Sequence, residues 1–116
     1  MSYAATCHCG AVEVTVEGDM PDEAMACNCS HCRRKGFLLA FVPAAKARLT
    51  RGEDQLGTYT FNKHVIQHRF CTRCGVQPLA EGKGADGAPT VMINLRCVDG
   101  ANLDGLKIQK YDGASH

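Results

Sequence analysis

The chain has 116 residues, with 13 Lys and Arg against 12 Asp and Glu and a formal charge of +1; this excludes a second core and the basic face that would track a nucleic-acid backbone. Apolar residues make up 45% and aromatics 6%, with no Trp, so one domain over residues 1–116 is expected, with a core of Val, Leu, Ile, Ala and a few Phe. The longest apolar run, residues 37–42, is too short to span a bilayer, and the opening six residues lack the charged and apolar regions of a signal peptide, which predicts a cytoplasmic protein with no membrane partner.

Along the chain, residues 10–17 alternate, with Val12, Val14 and Val16 on one face and Glu13, Thr15 and Glu17 on the other. This predicts a half-buried strand ending at Gly18. Residues 19–26 hold a Pro and acidic residues and read as a connection. Residues 37–42 read as a buried strand stopped by Pro43. Residues 44–51 fit either a helical turn or a strand. Residues 57–61 and 65–70 flank Asn62-Lys63-His64, which reads as a hairpin turn. Residues 76–80 are expected to pair back, and the Gly- and Pro-rich stretch 81–89 reads as a mobile loop. Residues 90–97 and 106–111 are strand candidates. Helix signals are weak throughout, so the expected class is mainly β.

Eight cysteines, at 7, 9, 27, 29, 32, 71, 74 and 97, carry most of the chemistry. Four close pairs (Cys7-x-Cys9, Cys27-x-Cys29, Cys29-x-x-Cys32 and Cys71-x-x-Cys74) compare with roughly one for random placement. Sulfurs two or three residues apart converge on one metal ion from a single tight turn. A disulfide framework suits an even count, but the clustering and the missing export signal oppose it.

Cys71-x-x-Cys74-Gly75 reads as a metal-binding knuckle that supplies two ligands. The Gly permits a left-handed turn in which backbone N–H groups reach the sulfurs. Structural zinc takes four ligands. The best second pair is Cys7-x-Cys9-Gly10, which is also followed by Gly and leads into a strand. Cys27-x-Cys29-x-x-Cys32 offers three thiolates within six residues. Three protein ligands with one open position is the catalytic arrangement of zinc; a closed site would recruit His31, Cys97 or, less readily, His64 or His68. Cys97 also fits an ordinary core position. Arg33-Arg34-Lys35 is either a solvated turn or a set of cations holding the carboxylate of an acidic ligand. His8, His64, His68 and His116 receive no role as isolated histidines.

Cys7-x-Cys9-Gly10, then Cys27-x-Cys29-x-x-Cys32-Arg33, then Phe70-Cys71-x-x-Cys74-Gly75 resemble the family of glutathione-dependent formaldehyde-activating enzymes and centromere protein V. The resemblance covers about residues 3–111. It implies an Mss4-like fold of small coiled antiparallel sheets organised around two zinc ions per chain. One zinc would be structural, on Cys7, Cys9, Cys71 and Cys74. The other, on Cys27, Cys29 and Cys32, would be the working site. The implied activity is of the carbon–sulfur lyase type, interconverting glutathione and formaldehyde with S-hydroxymethylglutathione, and Arg33 and Arg34 are candidate substrate-binding residues. The family often carries His where this chain has Asn28, and Asn carries no proton near neutral pH. The competing class is a non-catalytic zinc module that senses thiols or binds another protein.

Overall fold

The computed structural model describes residues 1–84 and 86–115; His116 lies outside them. Ten strands dominate the described residues. β1 is Ser2–Thr6, β2 Glu13–Glu17 and β3 Glu23–Cys27, followed by one helix, α1, Ser30–Lys35. Then come β4 Leu39–Pro43, β5 Ala47–Arg51, β6 Leu56–Tyr59, β7 Gln67–Cys71, β8 Leu79–Lys83, β9 Pro89–Asn94 and β10 Lys107–Tyr111. The strands form a three-stranded sheet, β1-β2-β5, and a seven-stranded sheet, β10-β3-β4-β9-β8-β7-β6.

The expected β class is the observed one. The sheets are not all small and antiparallel, however: one has seven strands and its β10–β3 pair is parallel. The connection after β9 runs through two 3-10 turns, Leu95–Cys97 and Leu103–Gly105, and is long enough to bring β10 back in the same direction as β3. The alternating valines behave as their period requires. Val12, Val14 and Val16 are all buried, and Val14 and Val16 pack with Ala40, Leu79, Val91, Ile93 and Leu95 of the larger sheet and its flank.

Several local readings change. β2 begins only at Glu13, because residues 7–12 form a turn around sulfur. Residues 19–26 are not all connection, since β3 starts at Glu23 and is held between β4 and β10. The described residues of stretch 81–89 are more ordered than a loose loop, residue 85 lying outside them; β8 continues to Lys83, β9 starts at Pro89, and the Gly84 N–H donates to the Ala88 carbonyl at 2.8 Å. Residues 44–51 hold both alternatives, a 3-10 turn at Ala44–Lys46 and then β5. The hairpin turn is present, with Asn62 and His64 in the left-handed region (φ 56° and 57°) and Thr60 Oγ1 2.8 Å from His64 Nδ1. No helix among the described residues is long and apolar enough to cross a membrane.

Candidate metal centres

Two turns of the same design meet at the first centre. The Cys7 N–H donates to the Val12 carbonyl at 3.1 Å, and the Cys71 N–H donates to the Val76 carbonyl at 2.9 Å, so each turn spans six residues. In return Val12 N–H donates to Cys7 Sγ and Arg73 N–H to Cys71 Sγ, each at 3.3 Å. Gly10 and Gly75 follow the second cysteine of each turn at φ 81° and 82°, a conformation that a Cβ disfavours.

The sulfurs of Cys7, Cys9, Cys71 and Cys74 lie within 4.8 Å of one another. Cys9 Sγ is 3.7 Å from both Cys7 Sγ and Cys71 Sγ. Four sulfurs set tetrahedrally at the zinc–thiolate distance would stand about 3.8 Å apart, whereas a disulfide needs about 2.05 Å. All eight thiols are unbridged. The donor set and its spacing therefore fit a tetrahedral metal ion. Burial pushes the Cys74 thiol up, but N–H donation from Cys9 and Val76 and the hydrogen bonds with the Cys71 and Cys7 sulfurs outweigh it, bringing it down to about 6. The Ala11 N–H lowers Cys9, yet burial and the three neighbouring sulfurs win and raise it to about 11. Thiols pulled in opposite directions by the hydrogen bonds between them form a set that a cation would hold together.

The second centre sits where β3 runs into α1. Cys27 closes the strand, Cys29 is the helix N-cap and Cys32 is in the first turn. Cys29 Sγ takes the capping place of a Ser or Asp oxygen and accepts from Cys32 N–H at 3.3 Å; Cys29 N–H donates to Cys27 Sγ at 3.4 Å. Burial raises the Cys29 thiol, but the Cys32 N–H, the neighbouring sulfurs and the His31 N–H pull it below its ordinary value. Cys32 moves up through burial and through its contacts with Cys29 and Cys27.

These three sulfurs also lie within 4.8 Å of one another, and no fourth His, Cys, Asp or Glu among the described residues joins them. His31 turns instead into an aromatic group, 4.1 Å from the His68 ring and within 6 Å of Phe37, Tyr59 and Phe61 by ring centroids. Cys97 is a buried core residue, its Sγ 3.7 Å from the Gln77 carbonyl and its thiol raised to about 11 by burial. It belongs to a 3-10 turn and not to strand β9. His64 serves the hairpin turn, and His8 is exposed.

A cleft of about 460 Å³ is lined by His31, Arg34 and Lys35 of α1 and by Tyr59, Phe70, Gly75 and Gln77. Arg34 thus reaches a concave surface, with Nη1 on the Ser30 carbonyl at 2.9 Å; Arg33 is exposed and is not among the lining residues. Behind His31, His68 is 5% exposed, with Nδ1 3.2 Å from Gln77 Nε2 and with Nε2 unpartnered. Neither His68 nor α1 had a clear sequence signal. The helix is six residues long and shows no apolar period, and a buried His looks like any other His on a strand.

A protein-family profile described as glutathione-dependent formaldehyde-activating enzyme matches residues 2–110. The chain is also similar to a Rhodobacter sphaeroides protein of known crystal structure, with 31% identity and a TM-score of 0.76, over 94% of this chain and 100% of that one.

Proposed function

Because the chain belongs to the family of glutathione-dependent formaldehyde-activating enzymes, we propose that it is a zinc-dependent enzyme of the carbon–sulfur lyase type. It joins a glutathione-like thiol to a small aldehyde and, in reverse, breaks that carbon–sulfur bond. Residues 1–116 act as one Mss4-like domain carrying two zinc ions, in a cytoplasm reducing enough to keep eight thiols unbridged.

The observation that carries this reading is the incomplete ligand set of Cys27, Cys29 and Cys32 beside the complete set of Cys7, Cys9, Cys71 and Cys74. At three protein ligands, zinc supplies an open position that holds an incoming thiol as thiolate. Cys27, Cys29 and Cys32 contribute three negative charges, and this excess favours thiol chemistry over the activation of water. The N–H groups of Cys29 and Cys32 hold two of those sulfurs in place. Arg34 and Lys35, at the rim of the cleft beside α1, suit the carboxylates of a glutathione-like thiol, with Arg33 adding charge at the surface.

The test is turnover. Zinc-loaded protein should accelerate the formation of S-hydroxymethylglutathione from glutathione and formaldehyde, followed by NMR, and Cys29→Ser should abolish the acceleration. A wild-type rate equal to the uncatalysed one, in a protein that still binds glutathione, would leave a thiol-binding module without catalysis.

A further inference from the structure

The segment after β10 has no part in either ligand set, yet it lies against the three-sulfur centre. Gly113 stands on Cys27: a methyl group at its Cα would collide with Cys27 Sγ and come 3.2 Å from Cys29 Cβ. Asn28, between two of the cysteines, grips this segment with both ends of its amide. Its Nδ2 donates to Asp112 Oδ1 at 3.0 Å, and its Oδ1 accepts from the Ala114 N–H at 2.9 Å. The Asn28 N–H adds a third bond, to the Tyr111 carbonyl at 3.1 Å. Ser115 Oγ donates to Asp112 Oδ2 at 2.6 Å and closes the turn.

The opposite side of the centre is shut. Cys32 is packed with Phe37, Leu39, Ala80 and Met92, and Met25 adds to that apolar floor. A ligand therefore cannot come from below. The remaining approach is beside segment 112–115, where Gly113 puts no Cβ onto Cys27 Sγ and the Tyr111 ring lies near by. The two side-chain bonds of Asn28 are exposed, and exposed bonds of this kind have small net strength. Bonds of this strength hold the segment at little cost to opening it.

We infer that segment 112–115, latched by Asn28, is a wall of the three-sulfur site, and that Asn28 and Gly113 determine the size of the thiol it admits. This rests on the reading of that site as the thiol-binding one. With the latch closed, small thiols pass the wall; a bulky thiol requires the segment to swing off Cys27.

The experiment uses the protein as purified, with two alkylating probes of one chemistry and different size, iodoacetamide and its fluorescein conjugate. Mass spectrometry gives the ratio of bulky to small modification at Cys27, with buried Cys97 as the control for general loosening. Asn28→Ala should raise the Cys27 ratio about five- to 30-fold, the effect expected for losing two modest hydrogen bonds, and leave the Cys97 ratio unchanged. Asp112→Ala removes one of the two Asn28 side-chain bonds together with the Ser115 bond, should raise the Cys27 ratio in the same direction, and decides the matter if Asn28→Ala does not fold. An unchanged ratio at Cys27, or an equal rise at Cys97, overturns the wall. Failure of wild-type protein to bind glutathione overturns the thiol-site reading instead, so the two failures are told apart.

Discussion

Cys9 Sγ and Cys71 Sγ lie 3.7 Å apart although 62 positions separate them in the chain. That contact joins the turn before β2 to the turn after β7, and so ties the small sheet to the large one. A domain of this length has a net stability of roughly 6 to 17 kcal/mol, and a structural zinc site contributes about 10 to 16 kcal/mol. An ion held by these four sulfurs would therefore be of comparable weight to the whole fold.

The cysteine centres should fail differently on mutation. Cys71→Ser or Cys7→Ser removes a ligand from the closed site and is expected to take away most of the folding free energy, giving aggregation or a much lower melting temperature. Cys29→Ser touches a site whose ligands span six residues, where closure constrains the unfolded chain little. That variant should fold and lose one zinc. Thermal melts with zinc counts check this, and equal destabilisation would make both centres structural.

Zinc itself should leave in two stages. Purified protein is expected to carry about two ions per chain, from ligand number alone. A mild chelator should remove the ion at Cys27, Cys29 and Cys32 first, with the far-ultraviolet circular dichroism unchanged; a stronger one should then unfold the chain. Elemental analysis at each stage checks the order. Simultaneous loss would contradict it.

Much of this was legible in the sequence, and the reasons are local. The two knuckles announce themselves because a thiolate pair and a following Gly lie within five residues, and the alternating Val12, Val14 and Val16 show their face directly. What stayed hidden depends on distant partners. β3 looks like a connection because Pro21, Asp22 and Glu23 lead into small residues, and its strand state comes from pairing with β4 and β10, the latter about 80 residues away. In the sequence Asn28 shows only as a departure from the family's frequent His, because its partners Asp112 and Ala114 lie more than 80 residues away. α1 is too short for a period, and its cap is a sulfur.

His68 should make stability depend on pH. Burial, and then the charges of His31 and Lys35, lower it from 6.5 to about 4. Between those values the unfolded chain binds the proton and the folded chain does not, so stability is full above pH 6.5 and falls as pH drops towards 4. The contribution is up to ~3 kcal/mol. Denaturant titrations of wild type and His68→Phe at equal zinc content should show a shallower pH dependence for the variant over this window. Parallel curves would mean that His68 takes up its proton as readily folded as unfolded.

The most direct measurement replaces zinc by cobalt at both centres and titrates glutathione while recording the sulfur-to-cobalt charge-transfer spectrum. An open position at Cys27, Cys29 and Cys32 predicts a saturable change equivalent to one added thiolate per chain, absent in Cys29→Ser. A spectrum that stays constant through saturating glutathione, with two cobalt ions bound, would show both centres closed and contradict the account.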